Sequence, residues 1–307
     1  MNLETKWLED FLALAELRNF SRAAQHRNVT QPAFSRRIRS LEHVLGVELI
    51  DRTTTPLALT PEGRLFHTTA RNLLRQMDDG VQQLKGQNGI GPQPLDFAAA
   101  HSLSVSLLPE LIATMSEGLV LRSRVESIDV DRAVEALQEG RCDFLLAFDI
   151  EALLQPPFLS LSLGSTEMRP VCAPDALGQP LFRLNGQSGP TPLLGYSPGA
   201  FMGRQVNGLL RKIDNLPRFQ PVMESSLTNL LKVMALKGAG IAWLPGYAIV
   251  DELASGQLVD FVGLDQREKY WGSIEIKLYR NDVRLHAGAE RFWSALGKRC
   301  QQGWLLT

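Results

Sequence analysis

The sequence predicts an α/β chain with a helical head, on three observations. Up to Lys85 the apolar residues recur every three or four positions, the spacing of amphipathic helices. From Leu95 onward, short β-rich runs alternate with helical ones, the pattern of a mostly parallel sheet covered by helices. Between the two lies "GQNGIGPQPL", whose Gly and Pro content marks a linker.

The totals agree with a folded, multi-domain chain. At 307 residues, 44% apolar and 21% charged, it suits two or three compact domains rather than one core. Its 32 Lys and Arg against 33 Asp and Glu leave a net charge of −1, so any nucleic-acid site has to be local. No basic apolar leader opens the sequence and no apolar run reaches the roughly 20 residues that cross a bilayer. A cytoplasmic address, without a membrane partner, is therefore the expectation. Cys142, Cys172 and Cys300 lie far apart and fit neither a metal pair nor a disulfide framework, so no metal or cofactor is expected.

In the head, Leu8, Phe11, Leu12 and Ala15 place a first helix over Thr5 to Leu17. Ser21 stands where the N-cap of a short second helix belongs, ahead of "RAAQHR". "NVT" ends that helix, Thr30 can cap a third, and Pro32 falls in its first turn, where a missing N–H is harmless. Two short helices joined by a tight turn make a helix-turn-helix. With Phe34, Ile38, Leu41 and Leu45 on the inner stripe, Gln31, Ser35, Arg36 and Arg39 turn outward. Arg and Gln grip guanine and adenine edges in the major groove, and Arg also neutralises phosphate. From Arg18 to Arg52 seven arginines meet three acids, which concentrates positive field on this segment.

Gly46 stops the third helix, and "VELIDRTTTPLALT" reads as a wing with Arg52 at its tip. Thr60 then caps a long helix, Pro61 at its first position, with Leu65, Thr69, Leu73, Met77, Val81 and Leu84 on one apolar seam. Such a seam is best covered by a second copy, so a dimer is expected.

The stretches "FSRAA", "VTQPAFSRRIRSLE", "LGVELIDR" and "LTPEG" resemble, in order and spacing, the winged helix-turn-helix of LysR-type transcriptional regulators. The similarity continues through "SLLPELI", "LQEGRCDFLLAF" and "LLKVMALKGAGIAWLP", over essentially the whole chain. It implies double-stranded promoter DNA as partner, a two-lobed, periplasmic-binding-protein-like effector domain crossed twice by the chain, and a tetramer of two dimers. Expected boundaries are 1–60 for the winged head, 61–87 for the linker helix, 88–94 for a hinge, 95–164 with 266–307 for lobe I and 165–265 for lobe II. The DNA-facing set is Ser21, Thr30, Gln31, Pro32, Ser35, Arg36, Arg39 and Arg52, and a DNA-bound regulator would be nucleoid-associated. Where most members carry an apolar residue, this chain has Arg27. Either its stem snorkels over the core with the guanidinium on phosphate, or that turn packs differently.

Within the family, "AAAHSLSVSLLP", "IDVDRAVEALQEG", "GYSPGAFMGRQVN" and "GIAWLPGYAI" are similar to the hypochlorite-responsive, HypT-like subgroup, which implies an oxidant signal in place of, or beside, a small metabolite. A two-lobed sheet domain takes its ligand at the carboxyl ends of strands. His101, Ser102, Ser104, Asp129, Tyr196, Met202, Ser225 and Ser226 are expected to converge there. Helix N-termini with hydroxyls suit an anion, although the serines can equally be caps only, and Asp129 would oppose an anion. For an oxidant, Met202 is the leading candidate, on a Gly/Pro-rich loop between Gly199 and Gly203. Met115 is the second, with helical spacing that also fits a core residue, and Leu227 stands where the subgroup has another methionine. Buried Cys142 and Cys172 argue against a thiol switch. His101 beside Ser102 lacks the elbow or metal motif of a hydrolase. The competing class is a solute-binding protein or enzyme of the same effector fold, disfavoured by the arginine face.

Overall fold

The computed structural model describes residues 3–84, 94–116, 121–184, 189–214 and 217–304. The last residues expected in the linker helix, 85–87, and the expected hinge up to 93 lie outside the described residues.

Helices α1 (Thr5–Leu17), α2 (Phe20–His26) and α3 (Gln31–Leu45) enclose Phe11, Leu14, Phe34, Ile38 and Leu41, all fully buried. The apolar spacing in the sequence therefore selected the inner faces correctly. The start of α2 departs from expectation. Its N-cap is Asn19, whose Oδ1 accepts the Arg22 amide at 3.0 Å, while Ser21 sits inside the helix and is exposed. Phe20 packs edge-on against Phe34 at 6.2 Å, and that contact draws the helix start ahead of the serine. Thr30 occupies the N-cap position of α3 without a side-chain capping bond.

Gly46 ends α3 at φ 73°, a left-handed conformation that glycine adopts without strain. β1 (Ile50–Asp51) and β2 (Ala58–Leu59) pair antiparallel as the wing. α4 (Pro61–Leu84) then leaves the head, its first turn capped by Thr60, whose Oγ1 accepts the Gly63 amide at 2.9 Å. Gly63 is placed by a close approach. A Cβ there would lie 2.0 Å from the Leu49 carbonyl oxygen.

The effector domain opens with β3 (Leu95–Ala100), followed by α5 (His101–Ser106) and α6 (Leu108–Met115). β4 (Ser123–Ile128), α7 (Val130–Gln138) and β5 (Phe144–Phe148) complete the first unit. The long β6 (Phe158–Cys172) crosses to the second lobe. There lie β7 (Thr191–Tyr196), α8 (Phe201–Leu210), β8 (Phe219–Ser225), α9 (Thr228–Leu236), β9 (Ala242–Pro245), α10 (Val250–Ala254), β10 (Val259–Asp260) and α11 (Arg267–Tyr270). β11 (Gly272–Asn281) returns, and α12 (Ala287–Gln301) closes the fold.

The sheet is mixed rather than mostly parallel. β3 is parallel to β4 and β5, but β11 runs antiparallel to both β5 and β6, and β6 antiparallel to β9 and β10, while β7 and β8 form a separate parallel pair. The cause is the double crossing, since one strand carries the chain out and another brings it back. Their pairing shifts register between Ile276 and Lys277, opposite Leu163 and Gly164, and a bulge of this kind bends and twists a ladder. Most of the effector core forms one cluster through both lobes, while α7 sits on a separate small one of Ala98, Ala133, Ala136, Leu137, Leu145 and Ala147. No described helix is long and apolar enough to cross a membrane.

Replacing Gly63 by alanine forces the α4 start away from Leu49. Thermal or denaturant unfolding of the Gly63→Ala chain is expected to show the head destabilised by about 1–3 kcal/mol, the usual consequence of overpacking.

Candidate DNA interface and effector cleft

The recognition surface is set by a carboxylate at the centre of the head. Asp10 on α1 is fully buried, and its two oxygens are taken by Arg27 Nε at 2.8 Å and Arg37 Nη1 at 3.1 Å. Arg27 also bonds Glu9. A buried charge is tolerated only when paired and hydrogen-bonded, so Arg37 is drawn inward, away from its neighbours on α3. Arg36 and Arg39 stay exposed with Gln31 and Pro32, and Gln31 Nε2 donates to Ser35 Oγ at 3.3 Å. The Arg27 guanidinium pairs with the carboxylates of Asp10 and Glu9, so that of the two expectations it is the differently packed turn that is seen.

Arg52 also sits differently from expectation. It lies at the end of β1, at the base of the wing, with Nη2 on Glu42 Oε2 at 2.6 Å. Glu42 is buried, and its other oxygen accepts the amides of Leu49 and Ile50 at 3.0 and 3.3 Å. Arg52 thus holds the wing to α3, and the tip falls to Thr53, Thr54 and Thr55.

The face of α4 that touches the effector domain is polar. Arg71 Nη2 donates to Asp143 Oδ1 at 2.9 Å, Arg75 pairs with Asp96, and Asn72 Nδ2 donates to the Arg284 carbonyl at 3.1 Å. Asp143 is fully buried. Burial pushes its carboxyl pKa up, but His286, Arg71 and the Asp96 amide outweigh that and hold it below the ordinary value. His67, on the same face, is pushed down to about 4 by burial and by Arg71 and Arg141, and so stays neutral. This interface was not anticipated from the sequence. The seam of α4 was legible there, and Leu65, Leu73, Met77 and Val81 are indeed exposed along it.

Between the lobes lies a cleft of about 470 Å³. Of the residues expected there, His101, Ser102, Asp129, Met202 and Ser226 line it. Three do not. Ser104 is turned to the His101 carbonyl at 2.9 Å and Ser127 Oγ at 2.7 Å. Tyr196 is buried with its hydroxyl on Thr228 Oγ1 at 3.0 Å. Ser225 caps the turn before α9, accepting the Leu227 amide at 3.0 Å. The His101 ring meets Ser127 Oγ at 2.9 Å, and Ser102 Oγ meets the Tyr247 hydroxyl at 2.7 Å.

Met202 requires the largest correction. It is the second residue of α8, not part of a loop, and only 6% exposed within the main core. Gly203 is there for space rather than mobility, because a Cβ would lie 2.1 Å from the Ser197 carbonyl oxygen. Met115 is half-buried against the same core. Cys142 and Cys172 are buried thiols, and burial pushes Cys142 up to about 12.

Ser197 and Phe201, within the expected stretch from Tyr196 to Met202, also line the cleft, whereas the sequence reading missed Asp131, Arg132 and Thr228. Asp131 and Arg132 lie two and three residues after Asp129 in the first turn of α7, and the helix-start logic that singled out Asp129 would have reached them. Arg204 of α8 spans the cleft mouth, its Nη2 donating to Asp131 Oδ1 at 3.0 Å and Nη1 to the Gly199 carbonyl at 2.6 Å. Phe201 stacks on Phe148 from the opposite lobe, centroids 4.9 Å apart. The starts of α7, α8 and α9 all open on this cleft, so its walls offer free amides and hydroxyls to an anion.

Comparison with known proteins gives two family matches, to the bacterial regulatory helix-turn-helix protein, lysR family, over residues 5–64, and to the LysR substrate binding domain over residues 92–301. The HTH-type transcriptional regulator YjiE of Escherichia coli K12 is 45% identical over 295 residues, 96% of this chain and 94% of its own. Among solved structures, Vibrio fischeri DarR in complex with DNA is 44% identical with a TM-score of 0.60, covering 97% of this chain and 99% of its own. Full-length HypT of Salmonella typhimurium, a hypochlorite-specific LysR-type transcriptional regulator, is 41% identical with a TM-score of 0.62, covering 98% and 99%.

Asp10→Ala leaves two half-buried guanidiniums without their shared acceptor. Chemical denaturation is expected to show a loss of about 1–3 kcal/mol in the head, the range for orphaned buried donors.

Proposed function

Because the chain belongs to the LysR family of DNA-binding transcriptional regulators, we propose that it reads promoter DNA through Gln31, Pro32, Ser35, Arg36 and Arg39. The arrangement that carries this reading is the outward row on α3, held in register by Arg37 and Arg27 on Asp10. Gln31 and Arg36 are one helical turn and a fraction apart at its start, the end that enters a major groove in helix-turn-helix proteins. Thr30 and Ser21, both exposed, reach the backbone phosphates, and the threonines of the wing tip take the flanking contact expected of Arg52.

The exposed seam of α4 favours a dimer through that helix, which presents two recognition helices together. Exposed apolar side chains on the effector domain, Val105 on α5 and Leu227, Leu230 and Val233 at α9, support pairing of effector domains and so a tetramer.

The signal we assign to the inter-lobe cleft is an oxidant. The likeness to HypT, a hypochlorite-specific regulator, supports it, and so does Met202 on the cleft wall. Hypochlorite transfers its oxygen to the thioether sulfur and leaves as chloride, giving a sulfoxide. A new polar S=O in this core has no partner and costs free energy until α8 shifts. A small anionic metabolite is the second reading, favoured by the three helix starts that open on the same cleft.

Two experiments follow. Arg36→Ala or Gln31→Ala is expected to lower the preference for promoter over random duplex by about 1–3 kcal/mol, measured by fluorescence anisotropy; equal loss on both duplexes would reassign that residue to phosphate. Met202→Gln, with a buried amide in place of the sulfoxide, is expected to change reporter output without oxidant. An unchanged reporter that still responds to hypochlorite would remove Met202 from the mechanism.

A further inference from the structure

We infer that α7 is the element that carries closure of the effector cleft to the DNA-binding head, held at its start by lobe II and pressed at its end against the head. Neither the family nor the cleft chemistry dictates this, and it goes beyond the reading above.

At its start, Asp131 in the first turn is bonded by Arg204 of the opposite lobe, and Asp129 to Arg132 line the cleft. At its other end, Glu139 pairs with Arg18, the residue that terminates α1 of the head, and is steadied by Arg141 Nε at 2.9 Å. Gly140, next in sequence, lies so close to α4 that a Cβ would be 2.0 Å from Thr68 Oγ1. One short helix therefore touches lobe II at one end and both α1 and α4 at the other. Nine residues of hydrogen-bonded helix are stiff along their axis, so a displacement of the first turn appears at the last.

The floor under α7 permits such a displacement. The helix's own Ala133, Ala136 and Leu137 meet Ala98, Leu145, Ala147, Leu153 and Tyr279 in a small cluster separate from the main effector core. Sliding of packed helices is a recurrent mode of domain motion, and here any repacking it requires is confined to that small cluster. The helix can move without the large core being repacked.

The test needs neither DNA nor an identified signal, so its outcome is independent of the proposed function. Arg204→Glu sets like charges across the cleft mouth, and hydrogen–deuterium exchange of the full chain reports on α1, α4 and α7. Exchange at the start of α7 and in α1 and α4 is expected to rise by up to about fivefold, the scale of an exposed ion pair. Adding Asp131→Arg re-forms the pair with reversed sign and restores all three. In a Glu139→Ala background, the response of α1 to Arg204→Glu is expected to vanish while that of α7 remains. Three results would overturn the proposal: α7 not responding, α7 responding while α1 and α4 do not, or an undiminished α1 response without Glu139.

Discussion

The head depends on one buried carboxylate. Asp10 cannot remain charged in the apolar centre of three helices without partners, and the partners it takes are Arg27 and Arg37. Turning Arg37 toward Asp10 divides the arginines of α3 into one half-buried and two exposed. The same ionic contact ties α1, α2 and α3 together at the point where their apolar stripes meet. Rotation of α3 about its axis would expose Phe34 and bury Arg36, and the carboxylate's bonds to Arg27 and Arg37 oppose that rotation together with the apolar contacts. The arginine-rich run is thus less a uniform positive patch than a structural clamp beside a reading face. Glu42 repeats the device at the wing, satisfying two strand amides and Arg52 at once.

α4 joins the two halves because its faces differ in chemistry. Phe66, Ala70 and Leu74 pack into the head, Leu65, Leu73, Met77 and Val81 form the exposed seam, and His67, Arg71, Asn72 and Arg75 meet the effector domain. An apolar contact would be indifferent to small shifts, whereas hydrogen bonds and ion pairs in a buried setting hold only one geometry. The position of the head relative to lobe I is accordingly specific. A polar interface of this kind is also easier to separate than an apolar core, since each group recovers hydration when it opens.

The elements with strong periodicity were legible in the sequence: α1, α3, α4, β3, α7, β5 and β11 fall where apolar spacing put them. The α8 region was not, because Gly199 and Gly203 suggest a Gly/Pro-rich loop. Gly203 instead lets the start of α8 fold tightly back over Ser197, a close backbone approach that apolar spacing along the chain does not encode. Ser21 was displaced by Asn19 for a comparable reason, the Phe20–Phe34 contact. Five of the eight expected cleft residues do meet, since strand ends and helix starts are local features. The polar face of α4 stayed hidden because Asp96, Asp143 and Arg284 are distant in sequence, and nothing in "HTTARNLLR" tells which side a second domain will cover. In isolation those residues look like a solvated face.

α8 offers a common route for either kind of signal. Met202 and Arg204 lie two residues apart on it, the first with its thioether in the core and the second with its guanidinium on Asp131. Oxygen added to Met202 would create a buried dipole that is relieved only by moving the helix outward, and Arg204 would move with it. An anion entering the cleft would act on the same guanidinium by charge, competing with Asp131 for its donors. Under either proposed trigger, the Arg204–Asp131 contact, one of the links between the lobes beside Phe201 on Phe148 and Ser102 on Tyr247, would be the one affected. The chemistry of the signal and the mechanics of the response are therefore separable: a change of trigger at the cleft wall requires no change in α7, α4 or the Asp10 clamp.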